Sequence, residues 1–337
     1  MEVFIDMRSF VRTHVISCCK ALVLIFSCLL LLAACGSGST STGSQPTPTP
    51  ELDAYGTPIT FPQTAPQRIV SLVPSTSDML ASLHLQSRVV AVDFYTTYPA
   101  DLAAKPKISD GNGTYNVEQI VALHPDLVLS YGRDTKSYDS QLTNLHVHVV
   151  DLPLANFAQS IQEIAVVGRL TKTEDSANKL VQQLQDRVNQ IKTQVTGTTK
   201  PKVLLEVDDS TPGKPYVFGG GSFGDEMLQD ASSINIFHNN TGGQGYPQVT
   251  DEAIISANPQ YVILTEDPTY GGDPNAVYQR ANWGSIAALK LHHVNHVNVN
   301  IMQHPGPRLV DGLQCVAQIV HPEKFSGSLP GYCSAAV

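Results

Sequence analysis

The chain has 337 residues, a formal net charge of −9 at neutral pH and 15% charged residues. Lysine and arginine form no run or stripe, so nucleic acid is excluded as an expected partner. The length suffices for two ordinary domains, each with its own core.

The chain opens on a targeting pattern. Arg8, Arg12 and Lys20 precede an apolar run of 12 residues, Ala21 to Leu32. That run suits a signal peptide and is too short to span a bilayer. It ends at Leu32-Ala33-Ala34-Cys35-Gly36, small residues before a cysteine. This predicts cleavage after residue 34, lipidation of Cys35 and a membrane attachment through that lipid alone. Gly36 to Pro50 (GSGSTSTGSQPTPTP) cannot bury apolar surface and reads as a tether, which we extend to residue 65. Without the acidic and basic residues of the leader, 18 basic and 28 acidic side chains remain.

The first lobe, residues 66–170, begins with the β-prone run RIVSLV at Arg68 and continues through VVAV, DLVLS and HVHVV. Helical stretches separate these strands, favouring parallel or mixed sheets. Ser75-Thr76-Ser77-Asp78 reads as a helix cap of S-x-x-D type. Residues 118–129, EQIVALHPDLVL, read as a short helix with Glu118 in its first turn, a proline stop and a buried strand.

Residues 171–197 form the next element. Ala177, Leu180, Val181, Leu184, Val188, Ile191 and Val195 recur every three or four positions, the apolar face of one helix. Thr171 with Glu174 predicts a capping box and Gly197 a stop. Such a helix is long enough to run from one lobe to the other.

The second lobe, residues 198–323, repeats the first. EAIISANPQYVI at 252–263 matches EQIVALHPDLVL, and Lys202 opens KVLLEV 50 residues before Glu252, as Arg68 stands 50 before Glu118. Residues 324–337 form a tail. Cys315 and Cys333 are the cysteines left outside the leader and Cys35. In an exported chain they are expected to pair, the alternative being a free Cys333 in a loose end.

The segments RIVSLVPSTSDMLASLHLQSRVVAV, DFYTTYPA, NVEQIVALHPDLVL and HPGPRLVDGL resemble those of the helical-backbone (class III) substrate-binding proteins of ABC importers. Among these they are most similar to the cobalamin-binding branch. The resemblance implies an α/β fold of two Rossmann-like lobes, joined by a single long backbone helix, with a ligand cleft between them. It implies a monomer that carries a corrinoid, or else a ferric siderophore or haem, to a permease–ATPase complex, with no cofactor of its own and no catalysis; the alternative of another class is an exported α/β enzyme. Glu118 and Glu252 match the residues that dock on the permease. Tyr95, Tyr98 and Tyr131 in the first lobe, with Tyr216 and Phe218 in the second, fall where the family places aromatic rings against its ligand. His304 falls at a polar cleft position. Its three readings stay open: hydrogen bond to a ligand amide, metal ligation or plain loop. Arg308 is assigned to support. The stretch before Glu118 has Tyr115 where cobalamin binders commonly carry tryptophan, a departure from that branch.

Gly219, Gly221 and Gly224 satisfy G-x-G-x-x-G but lack the acidic residue that a dinucleotide fold needs about 20 positions later. They are read as a loop at the cleft edge. His292, His293 and His296 read as a solvated turn.

Overall fold

The computed structural model describes residues 50–132, 135–266 and 271–334. The leader, Cys35 and residues 36–49 of the expected tether lie outside the described residues.

The first lobe is a four-stranded parallel sheet of β1 (Ile69–Ser71), β2 (Val89–Val92), β3 (Leu127–Tyr131) and β4 (Val149–Leu152), in the order β2-β1-β3-β4. Helices of six residues or more carry labels here. In this lobe they are α1 (Pro74–Ser82), α2 (Val117–Ala122) and α3 (Lys136–Asn144). The chain then turns through α4 (Phe157–Thr171) and α5 (Glu174–Gln194). The second lobe holds β5 (Lys202–Asp208), β6 (Tyr216–Val217), β7 (Ile234–Asn235), β8 (Tyr261–Leu264) and β9 (Val294–His296). Its order is β6-β5-β8-β9, with β7 also on β5, and β6 is its one antiparallel strand. Helices α6 (Phe223–Asp230), α7 (Asp251–Ala257) and α8 (Leu309–Val320) complete it.

The repeat holds at the level of single hydrogen bonds, at a constant offset of 134 positions, the difference between 252 and 118. Ile69 pairs with Leu127, and Val203 with Tyr261. Asn116 Oδ1 caps α2 by accepting from the Gln119 N–H, and Thr250 Oγ1 caps α7 by accepting from the Ala253 N–H. Each helix stops at a residue of positive φ, His124 or Asn258, just before the proline that cannot continue it. Asp126 then accepts from the Arg68 N–H, and Gln260 Oε1 from the Lys202 N–H.

Strand side chains alternate between two cores, as a pleat requires. In the first sheet Val70 and Val128 face an outer cluster with Ile120 and Leu142; in the second, Leu204, Val262 and Leu264 face one with Trp283 and Ile254. The opposite faces, carrying Ile69, Leu127, Leu129, Val203, Leu205 and Ile263, join a single core with α1, α4, α5, α6 and α8. That shared core ties both lobes together. Each fully buried Leu or Ile in it contributes about 1.5–3 kcal/mol, which opposes wide separation.

Several local expectations change. The interlobe helix begins three residues later and ends three earlier than the spacing implied, and it is packed along α4. Thr171 is the end of α4, not a cap of α5. Its Oγ1 donates to the Val167 carbonyl, while Lys172 turns the chain with φ 57°. Gly168 permits the close crossing, because a Cβ there would sit 2.3 Å from that of Ala177. The S-x-x-D cap is absent: Val73 is the α1 N-cap, Pro74 is its first residue, and Ser75 to Asp78 are buried. Nor is the tether loose up to residue 65. Leu52 bridges to Pro58, the Ala54 N–H reaches the Asp151 carbonyl, and Ile59 and Phe61 pack on the shared core. Cys315 and Cys333 form a disulfide, Cα–Cα 5.6 Å, that fastens the tail to α8.

Candidate functional site

Both sheets point their carboxyl ends at a common cleft, the position where open α/β sheets expose backbone groups and bind ligands. A cavity of about 690 Å³ is lined by Pro74 after β1, Tyr95 and Thr97 after β2, Val207 and Asp208 at the end of β5, Glu266 after β8, and Val299, Asn300, Gln303 and His304 after β9. A smaller one of about 270 Å³ shares Pro74, Val207, Gln303 and His304 with it and adds Tyr131, Phe218, Phe223 and Tyr246. The two are parts of one cleft. Among the described residues lining them there is no lysine or arginine, whereas Asp208 and Glu266 are acidic.

The aromatic residues separate into three groups. Tyr95 is more than half exposed and stands at the wider cavity, its hydroxyl donating to the Gly111 carbonyl. Tyr131 and Phe218 reach the narrower cavity as part of its apolar floor. Both are almost fully buried; Tyr131 Oη accepts from the Ala155 N–H, and Phe218 packs on Phe223 and Tyr246. Tyr98 and Tyr216 stand outside the lining of these two cavities. The Arg308 guanidinium covers the Tyr98 ring at 4.3 Å, and Tyr216 sits on the antiparallel strand β6, bridged to Gln248. Phe223 and Tyr246, which the sequence reading did not single out, stand in the floor instead.

His304 reaches both cavities, and its Nδ1 is buried with no hydrogen-bond partner. Burial, reinforced by the nearby Arg308 charge, pushes its pKa down to about 3, so the imidazole is neutral at physiological pH. Gln303 spends its amide on the scaffold. Nε2 donates to the Val207 and Thr265 carbonyls, both at 3.0 Å, tying the segment after β9 to the ends of β5 and β8. Arg308 has the supporting role expected of it: Nε donates to Asp78 Oδ2 at 2.8 Å. Burial raises Asp78 to about 7 despite that partner. Nearby, Ser71, Thr76, Ser77, Thr96 and Asp93 form a buried hydrogen-bonded chain beneath the start of α1.

At the other wall, Glu206 receives both Arg280 guanidinium nitrogens at 2.7 Å, and Asp209 binds the same group. Glu266 stands beside them, pushed up to about 7 by burial and by neighbouring carboxylates. Its carbonyl lies 2.7 Å from His296 Nε2, so His296 is a structural tie and not a solvated residue. His293 stacks on Tyr261 at 4.3 Å. The glycine motif is a tight turn into α6. A Cβ on Gly220 would lie 1.9 Å from the His238 carbonyl oxygen, and none of the three motif glycines lines the cleft.

Glu118 and Glu252 are far from these cavities in kind: each is exposed, in the first turn of α2 or α7. The Glu252 backbone N–H and the Thr250 side chain hold its carboxyl below the usual range.

A family model described as periplasmic binding protein matches residues 69–298. The uncharacterized ABC transporter substrate-binding lipoprotein YvrC of Bacillus subtilis is 31% identical over 267 residues, 77% of this chain and 82% of that protein. A cobalamin-binding protein of Halobacterium salinarum is 27% identical over 277 residues, 80% of this chain and 73% of the relative. Among solved structures, a possible iron-binding (periplasmic solute-binding) protein from Staphylococcus epidermidis superposes with a TM-score of 0.66 at 27% identity, covering 77% of this chain and all of that one.

Proposed function

Since the chain belongs to the periplasmic binding protein family, we propose that it is the substrate-binding component of an ABC importer and that its cargo is cobalamin or a related corrinoid. The observation that carries the choice of cargo is the charge of the cleft. The residues described as lining it offer hydroxyls, amides, a neutral imidazole and two carboxylates, and the nearby Arg280 is taken up by Glu206 and Asp209. A corrinoid bears many neutral amides, which such groups satisfy. Haem carries propionates, and many ferric siderophores carry net negative charge; both would meet the acidic side chains Asp208 and Glu266 with no lysine or arginine among the described lining residues. The relative named as cobalamin-binding agrees with this reading. An iron chelate is the second reading, favoured by the unpaired Nδ1 of His304 as a donor to a metal centre.

In this reading Tyr95 covers one face of the ligand, with Tyr131 and Phe218 supporting the floor. Cys35 carries a lipid that holds the protein on the outer face of the membrane. Glu118 and Glu252 form the two-point contact with the permease, and the protein works as a monomer beside the permease–ATPase complex. What supports the docking role is the repeat: two exposed carboxylates at equivalent positions of two lobes report the relative orientation of those lobes. The test of the cargo is a calorimetric and absorbance screen of cyanocobalamin, cobinamide, haemin and ferric siderophores. Corrinoid binding alone is expected; binding of haemin or a ferric chelate alone would replace this cargo with the second reading.

A further inference from the structure

The geometry points to a site for a hard divalent cation such as Ca²⁺ in the wall of the cleft, held by Glu206, Asp209 and Glu266. One carboxylate oxygen from each of the three lies within 4.8 Å of the others. Two oxygens on opposite sides of a calcium ion at ~2.4 Å are separated by ~4.8 Å, so one ion reaches all three. The donors are all oxygen, the preference of Ca²⁺ over softer metals.

A second observation, independent of the clustering, comes from Glu266. It is only 5% exposed, and its Oε1 is buried with no hydrogen-bond partner. Its Oε2 has only the Asp209 N–H, at 3.2 Å. A buried carboxylate oxygen without a donor is costly unless something positive meets it. The charges also match. Arg280 offsets one of the three carboxylates, which leaves a formal −2 when all are ionised, the charge a divalent ion neutralises. Arg280 does not exhaust the oxygens, since each carboxylate oxygen has a second lone pair. Gly271, at φ 156°, closes over the group: a Cβ there would lie 2.6 Å from Glu266 Oε1. Gly271 is thereby packed onto the carboxylate, and an ion bound to Glu266 fixes that side of the cleft.

The molecule carries its own reporter. Trp283 is the single tryptophan of the chain, and the Arg280 guanidinium lies 4.6 Å from its ring centre. Terbium ion, an oxygen-seeking mimic of calcium, emits when a nearby excited indole transfers energy to it. The full chain in detergent, stripped with chelator and free of cargo, is titrated with Tb³⁺ while tryptophan is excited. The expected result is saturable one-site emission, displaced by Ca²⁺ and weakened roughly tenfold or more by Glu266→Gln, which removes one charged ligand. Trp283→Phe should remove the emission while calorimetric Ca²⁺ binding persists. Glu266 has no side-chain partner, so the Glu266→Gln variant is expected to fold, and its thermal transition is read alongside. If Glu206→Gln folds, it should weaken binding as well. Non-saturating emission, or a one-site signal unchanged by Glu266→Gln, would overturn the site. No cargo is present, so the titration reads the ion alone; the cargo screen repeated with and without Ca²⁺ reads the cleft separately, since an ion on Glu266 would change the charge on which the cargo reading rests.

Discussion

Arg308, at the entry to α8, donates from Nε to Asp78 Oδ2 on α1 at 2.8 Å, joining segments 230 residues apart where the two lobes meet. Asp78 is 3% exposed. Removing its partner leaves a buried carboxylate, a change that typically costs about 3–5 kcal/mol. Asp78 already stands near 7 with Arg308 present and rises further without it, so protonation softens the loss. We predict that Arg308→Met lowers unfolding stability by about 2–4 kcal/mol, more at pH 8 than at pH 6. Asp78→Leu with Arg308→Met should recover much of it in urea denaturation. Equal loss in the single and double variants would show that the ion pair is not the cause.

Glu163 gives a pH prediction. It lies in α4 with both carboxylate oxygens buried and unpartnered, and burial, with Asp151 nearby, pushes it up to about 9. The folded state thus holds a proton that the unfolded chain releases near pH 4.5. For a raised carboxyl pKa, stability is fully present below the unfolded value and declines as pH rises toward the folded one. The slope for one proton is about 1.4 kcal/mol per pH unit. Denaturation of wild type and Glu163→Gln from pH 5 to 9 should show their difference moving in favour of the variant as pH rises. A constant difference across that range would rule out the titration.

The Cys315–Cys333 bridge closes a loop with a sequence separation of 18. Loop-closure entropy for that length is worth about 3 kcal/mol. Cys333→Ser should therefore lower the thermal midpoint and free the tail, with little effect on cargo affinity. Limited proteolysis after residue 320 reports the release.

The docking pair separates transport from capture. Glu118 and Glu252 are exposed, so replacing both by alanine should change stability by only a few tenths of a kcal/mol. Uptake by cells carrying that double variant is predicted to fall to background while cargo affinity stays near wild type. A large loss of affinity would contradict this division of labour.

What the sequence made legible follows from periodicity. Apolar strands, a proline stop and a first-turn glutamate recur in both lobes because each feature is local and backbone-driven. The offset between Glu118 and Glu252 then carries down to the caps at Asn116 and Thr250. The interior of the cleft was harder to read. Tyr98 and Tyr216 lie in the expected segments, but a cation from a distant helix end and an edge-strand position take them away from the cavity. Glu266 follows a strand with no motif around it in sequence; only folding sets it beside Glu206 and Asp209. The cap assigned to Thr171 failed because α4 extends through it, an extension permitted by the contact between Gly168 and Ala177.

The most direct measurement of the central claim is an absorbance titration of cyanocobalamin into wild type and Tyr95→Ala, with haemin run in parallel. The account predicts one-site binding at micromolar concentration or tighter for wild type, clearly weaker binding for the variant, and no comparable binding of haemin. Tight haemin binding with no response to cyanocobalamin would contradict it.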